Sequence, residues 1–168
     1  VKQNYKRIHK YNSAKGIEVF EKMQELDEFH SAVPLLFLKK SFIDKYEIRF
    51  IPGVFYEDMA YTFSVFCHAE TVSQCNESLY FRRYRSDSIM TSKKSPKYFN
   101  SMISVYRFIL ESSCKYEITD NIAVKKYLSR IANNVINNYE KLDKADKLKE
   151  KDNFIEIKKD ILQNNAFD

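Results

Sequence analysis

The scarcity of glycine and proline is the feature that most constrains the fold of this chain. Its 168 residues contain two glycines, Gly16 and Gly53, and three prolines, Pro34, Pro52 and Pro96. Folds built from many short strands need such residues at their turns, so a mainly helical fold is favoured. The two glycines also lie too far apart for a glycine-rich phosphate loop or a dinucleotide fingerprint. We therefore expect a mainly α protein with a small β element (α+β).

Apolar residues recur at helical spacing along most of the chain. The predicted helices cover residues 16–29, 41–46, 57–69, about 95–109 and 120–142. Ser95 and Pro96 make a good helix start, with serine as the N-cap and proline in the first turn. Two short strands are predicted over residues 71–75 and 79–83, and these would be the β element. The charged tail after residue 143 keeps a thin apolar stripe. We expect it to pack on its own domain, with a docking helix, a dimer contact or a membrane-surface segment as alternatives.

Composition and charge narrow the class of protein. A chain of this length can bury a substantial single core, and no apolar run approaches transmembrane length. Three irregularly spaced cysteines suggest neither a disulfide framework nor a zinc site, which favours a reducing, cytoplasmic compartment. The net charge is +5, and residues 79–97 hold six cations against one acid. Such a segment attracts a phosphate, a lipid headgroup or a nucleic acid, although a solvated basic loop remains an alternative.

Glu57 and Asp58 form a carboxylate pair at the start of a predicted helix. Carboxylates are common in a first turn because the positive end of the helix dipole favours them, so helix capping is the simplest interpretation. The same dipole would keep a carboxylate ionised at neutral pH, as a base that accepts a proton from a hydroxyl must be. Adjacent helix residues point about 100° apart, so the two are not expected to serve one substrate atom. Capping and catalysis are compatible here.

Tyr80, Arg83 and Arg85 lie in the basic segment. On a strand, Arg83 and Arg85 would share one face. Two guanidinium groups on one face can bind a diphosphate through paired hydrogen bonds. The alternative is a basic edge strand whose charge prevents unwanted pairing.

Four motifs occur in order along the chain. They are Phe-Leu-Lys-Lys-Ser-Phe over residues 37–42, Ile-Arg-Phe over residues 48–50, Gly53 followed by Glu57-Asp58, and Leu-Tyr-x-x-Arg-x-Arg-x-x-Ser-Ile over residues 79–89. In this order and spacing they resemble the second, acceptor-binding half of bacterial family 2 glycosyltransferases. The resemblance covers residues 16–92 closely and the later helices only in general character.

The resemblance implies a function and roles for several residues. It implies the C-terminal portion of a GT-A catalytic domain over residues 1–92, followed by a helical extension over residues 93–168. The intact enzyme would be an inverting transferase that moves a sugar from a nucleotide-sugar donor to a glycan or lipid-linked acceptor in bacterial surface polysaccharide biosynthesis. Asp58 would be the catalytic base, assisted by Glu57. The implied substrate-binding residues are Tyr80, Arg83, Arg85 and Ser88.

The chain also departs from the family pattern. Pro34 and Leu36 stand where many relatives have a tryptophan and a lysine, and no Asp-x-Asp motif occurs. In the family that motif holds a divalent metal, magnesium or manganese, on the donor diphosphate. We therefore expect the metal and the nucleotide-binding half to lie in a preceding part of the same protein, and these 168 residues to be inactive alone. We expect a cytoplasmic location, with peripheral contact at the inner face of the cell membrane as an option.

Two alternatives stay open. The first is a non-catalytic helical binding module whose basic patch contacts nucleic acid or an anionic surface. The modest charge and the absence of a helix-turn-helix or RNA-binding signature disfavour it, and nucleic acid is not an expected partner. The second is a degenerate transferase half that serves as a scaffold, an alternative that the Pro34 and Leu36 departures keep open.

Overall fold

A computed structural model describes residues 9–75, 77, 79–81 and 94–164 of the chain. The described part is mainly helical, as the sequence predicts. Its helices are α1 (Gly16–Glu25), α2 (Lys40–Lys45), α3 (Glu57–His68), α4 (Pro96–Lys115), α5 (Ile122–Glu140), α6 (Lys144–Lys149) and α7 (Lys151–Gln163), with a short 3₁₀ turn at Val33–Leu35.

The helix boundaries follow local chemistry. Helix α1 ends at Glu25 and not at residue 29, because Asp27 adopts a left-handed φ of 55° and the Glu28 amide bonds back to the Met23 carbonyl over 2.8 Å. Helix α4 begins after Ser95 with Pro96 in its first turn, as predicted. Helix α5 begins after Asn121, whose side chain accepts hydrogen bonds from the amides of Ala123 and Val124.

The predicted β element is not found in the described residues, which contain no strand. Residues 71–75 form only an isolated antiparallel bridge, in which Val72 exchanges backbone hydrogen bonds with Ala14. Residues 79–81 have no regular structure, and the end of the second predicted strand lies outside the described residues. An isolated two-stranded hairpin is marginal in water, and here Val72 packs against the helical core instead.

One apolar core joins helices from both ends of the chain. Helices α4 and α5 pack together, and α1 contacts both α3 and α5. At its centre the rings of Phe20, Phe29, Phe63 and Tyr127 meet mostly edge to face. The core is continuous across the predicted boundary between residues 92 and 93. The C-terminal helices therefore take part in building the surface around α3.

The tail packs on this core, as expected. Ile157 and Ile161 of α7 are fully buried, whereas Leu148 and Leu162 stay exposed. In the described part of the chain no helix combines the length and the apolar character needed to cross a membrane.

Candidate active site

The first turn of α3 presents the carboxylate pair on a strained backbone. Tyr56 precedes the helix with a left-handed φ of 63°, a conformation that costs a bulky residue of order 1–2 kcal/mol. Glu57 and Asp58 follow as the first two helical residues. Strain of this kind persists where surrounding contacts hold it, and it is often found at functional sites.

Asp58 is half-buried, and its surroundings make it a stronger base than an exposed aspartate. Burial raises the pKa of Asp58 from 3.8 to about 6, and the neighbouring charge of Glu57 adds to the shift. The backbone amides of Met59 and Asp58 act in the opposite direction. At neutral pH the group is still mostly ionised and accepts protons more readily. A pKa just below the working pH suits a general base.

Asp58 lies on the wall of a cavity of about 280 Å³. Three parts of the chain form this cavity: the loop after α1, the first turn of α3 and the middle of α5. The lining residues are Phe29, His30, Ser31, Ala32, Asp58, Met59, Tyr127 and Arg130. The volume is just below that of typical ligand pockets, which span roughly 300–1,000 Å³. Asp58 thus faces a space that a small substrate group can enter.

One hydrogen bond from α5 and one within α3 hold the first turn of the carboxylate's helix. The hydroxyl of Tyr127 donates to the Met59 carbonyl over 3.3 Å, and Thr62 donates to the Asp58 carbonyl over 2.7 Å. Tyr127 and Thr62 are both fully buried. Burial also raises the pKa of Tyr127, so its hydroxyl stays protonated and remains a donor. The first turn of α3 is therefore held in a defined position.

Two lysines at the end of the basic segment contact the aromatic residues just before Glu57. Lys94 donates to the hydroxyl of Tyr56 over 3.0 Å and lies 4.1 Å from the ring centroid of Tyr98. Lys97 lies 4.6 Å from the ring centroid of Phe55. These contacts place the C-terminal end of the basic segment beside the start of α3.

Of the four predicted substrate-binding residues, the structure describes only Tyr80. Tyr80 is 41% exposed and does not line the cavity. Arg83, Arg85 and Ser88 lie outside the described residues. Their relation to Asp58 remains a prediction.

Sequence reasoning missed the contribution of α5 to the site. Arg130 follows Tyr127 by three positions, so both lie on one side of the helix. Its guanidinium carbon lies 5.1 Å from the Tyr127 ring centroid, and its nitrogen lies 4.0 Å from a carboxylate oxygen of Asp27. A cation next to the apolar stripe of α5 was the signal available in the sequence, but nothing linked it to Asp58.

The described residues do not fit a metal site. In residues 9–75, 77, 79–81 and 94–164, no three histidine, cysteine, aspartate or glutamate side chains form a group that could hold a metal ion. Cys67 is next to His68 in the chain, but burial raises the pKa of its thiol to about 12. Both ring nitrogens of His68 are already in hydrogen bonds, with the Ser64 carbonyl and the Tyr116 hydroxyl.

No protein-family model, no curated protein and no solved structure matches this chain. Function is therefore inferred from the residues of the site.

Proposed function

We propose that these residues form the acceptor-binding part of an inverting family 2 glycosyltransferase, with Asp58 as the catalytic base. The observation that carries the proposal is the position of Asp58: a half-buried carboxylate with a raised pKa, in the first turn of a helix, on a cavity of about 280 Å³. The order of motifs over residues 37–89 adds the link to sugar transfer.

In this proposal the Asp58 carboxylate accepts the proton of the acceptor hydroxyl as that oxygen attacks the anomeric carbon of the donor sugar. The new carbon–oxygen bond forms while the bond to the nucleoside diphosphate breaks, and the electron pair leaves with the diphosphate. Glu57 supports the base, because its charge raises the proton affinity of Asp58. Arg83 and Arg85 are proposed to offset the charge on the departing diphosphate, as preorganised charge often does in catalysis.

The proposal assigns donor binding to a nucleotide-binding half that these 168 residues do not supply. The same half is proposed to hold the divalent metal, because the Asp-x-Asp motif that holds it in the family does not occur in this chain. The 168 residues alone are accordingly expected to transfer no sugar. Measurable transfer by this chain alone would contradict that assignment.

The decisive experiment replaces Asp58 in the enzyme that contains both halves. Asp58→Asn keeps the size of the side chain but removes the base, and transfer is expected to fall about 10²- to 10⁴-fold. Glu57→Gln is the matched control, and we expect a much smaller loss because it changes only the surroundings of the base. Circular dichroism establishes that both variants fold. Near-normal transfer by folded Asp58→Asn would remove Asp58 from the role of base.

A further inference from the structure

The cavity beside Asp58 also holds a cation from a distant helix. Arg130 of α5 lines the same cavity as Asp58 of α3. Its side chain is 40% exposed, so a ligand in the cavity can reach it. The loop after α1 adds the apolar side chain of Phe29 and Ser31, whose hydroxyl is a further potential donor, and α3 adds the apolar side chain of Met59.

The two charges in the cavity do not neutralise each other. Among the described residues no ion pair joins Asp58 to Arg130, which pairs with Asp27 instead. The ion pair of Arg130 with Asp27 is long at 4.0 Å, and the Asp27 side chain is 85% exposed, where such a pair contributes little. A guanidinium carries five N–H donors, so Arg130 can bind an oxyanion in this position.

The Tyr127 ring positions this guanidinium. A cation 5.1 Å from the centroid of a fully buried ring is attracted to its face, which restricts the side chain before any ligand arrives. A planar guanidinium held in this way binds the oxygens of a phosphate group in pairs. The position of Arg130 is thus tied, through Tyr127, to the same hydrogen bond that fixes the first turn of α3.

We propose that Arg130 binds a phosphate group of the acceptor, so that the acceptor is a phosphate-bearing alcohol such as a polyol phosphate or sugar phosphate. This inference rests on the proposed function, because the hydroxyl of the same molecule lies against Asp58. The cavity of about 280 Å³ has room for one small sugar or polyol unit with its phosphate. A phosphate can accept hydrogen bonds from both Arg130 and Ser31, and its negative charge pairs with the guanidinium, whereas the hydroxyls of a neutral glycan offer Arg130 no charge.

Binding of glycerol 1-phosphate to the 168-residue chain tests the proposal directly, with calorimetry for affinity and amide chemical shifts for location. The shifts are expected around residues 29–32, 58–59 and 127–130. Arg130→Gln is expected to weaken binding about 10- to 100-fold, as for loss of a charged hydrogen bond. Lys125→Gln is the matched control on the same helix, since Lys125 is exposed and lies outside this cavity; it should bind as the unchanged chain does. Asp27→Asn should bind equally well or more tightly.

The comparison ligands are glycerol, glucuronate (a sugar with a carboxylate and no phosphate) and phospholipid vesicles. Weaker binding of glycerol and glucuronate than of the phosphate supports the proposal. If the chain binds glycerol 1-phosphate but not phosphatidylglycerol vesicles, the acceptor is soluble. If it also binds the vesicles, and this binding depends on Arg130, the acceptor is carried on a lipid. The proposal would be overturned if glycerol bound as tightly as glycerol 1-phosphate or if glucuronate bound more tightly. It would also be overturned if no phosphate compound bound, or if Arg130→Gln left the affinity unchanged.

Kinetics of the enzyme with both halves separate this inference from the proposed function. Arg130→Gln should raise KM for a phosphate-bearing acceptor with little change in kcat, whereas Asp58→Asn should lower kcat. If Asp58→Asn abolishes transfer while Arg130→Gln changes nothing, the acceptor assignment fails and the function stands. If the phosphate binds through Arg130 but Asp58→Asn transfers normally, the function fails.

Discussion

The hydroxyl of Tyr127 donates a hydrogen bond to the Met59 carbonyl, and this contact joins the middle of α5 to the first turn of α3. Met59 follows Asp58 directly, and Tyr127 lies one helical turn before Arg130 on α5. The contact therefore holds Asp58, the proposed base, and Arg130, the residue proposed to bind phosphate, at a fixed distance and orientation. It also explains why the C-terminal helices belong to the site although the motifs that suggest a function all lie before residue 92.

Tyr127→Phe is expected to lower the free energy of unfolding by about 1 kcal/mol, because it removes one buried hydrogen bond and leaves the ring in place. Tyr106→Phe is the matched control. The Tyr106 hydroxyl is also buried, but it has no hydrogen-bond partner among the described residues, so its removal should leave stability unchanged or raise it. Urea denaturation of both variants measures the difference. Equal losses in the two variants would contradict the assigned role of the Tyr127 hydroxyl.

Asp58 should make the protein less stable as the pH rises from about 4 to about 6. Its pKa is raised from 3.8 to about 6 in the folded chain, so the unfolded chain releases this proton at a lower pH. The carboxyl thus favours the folded state fully below pH 4, and that contribution is lost as the pH rises through about 6. After allowance for solvent screening, the change is about 1–2 kcal/mol.

Asp58→Asn cannot ionise and removes this pH dependence. We expect the variant to unfold with a free energy about 1–2 kcal/mol above that of the unchanged chain at pH 7, with the difference disappearing near pH 4. Denaturation of both proteins across this range makes the measurement, and the contributions of other acids cancel in the comparison. A difference that stays constant from pH 4 to pH 7 would show that the Asp58 pKa is not raised.

The two glycines should differ sharply in their tolerance of alanine. A Cβ at Gly16 would lie against the carbonyl oxygen of Phe66, closer than van der Waals contact, because α1 and α3 approach each other there. Gly16→Ala should therefore cost about 1–3 kcal/mol or more, as overpacking does. Gly53 has φ of 75° and open space around it, so Gly53→Ala should cost only about 1 kcal/mol for the backbone strain. Thermal unfolding of the two variants measures the difference. A larger loss of stability in Gly53→Ala than in Gly16→Ala would disprove the close approach of α1 and α3 at Gly16.

Asn121 should be the most important helix cap for the site, because α5 carries Tyr127 and Arg130. Its side chain accepts from the amides of Ala123 and Val124 and also donates to Glu21 of α1. Asn121→Ala should lower the free energy of unfolding by about 1–2 kcal/mol. Asn121→Asp keeps the capping oxygen but places a second carboxylate next to Glu21. Because the cap is kept, the free energy of unfolding should fall by less than in the alanine variant. Guanidinium denaturation of the two Asn121 variants separates the contribution of the helix cap from that of the contact with Glu21 on α1.

Several elements could be predicted from local sequence, and the reasons are specific. Ser95-Pro96 marks the start of α4 and apolar spacing marks α3 and α5, because both signals depend on neighbours in the chain. Helix α1 ends earlier than the apolar spacing predicts, since the left-handed turn at Asp27 contains no glycine that would mark it in the sequence. Residues 71–75 have strand-like composition but form only the Val72–Ala14 bridge, because the sequence cannot tell whether a strand will find a partner.

The sequence by itself determined that the chain is mainly helical and that Glu57 and Asp58 open a helix, because helix periodicity and capping act between residues a few positions apart. Tertiary structure alone decided how far Asp58 is desolvated and which distant side chains share its cavity. The position of Arg130 follows from the packing of α5 on α4 and α1, and no local pattern encodes it. Burial, cavities and pKa shifts arise from contacts between segments that only the packed core brings together.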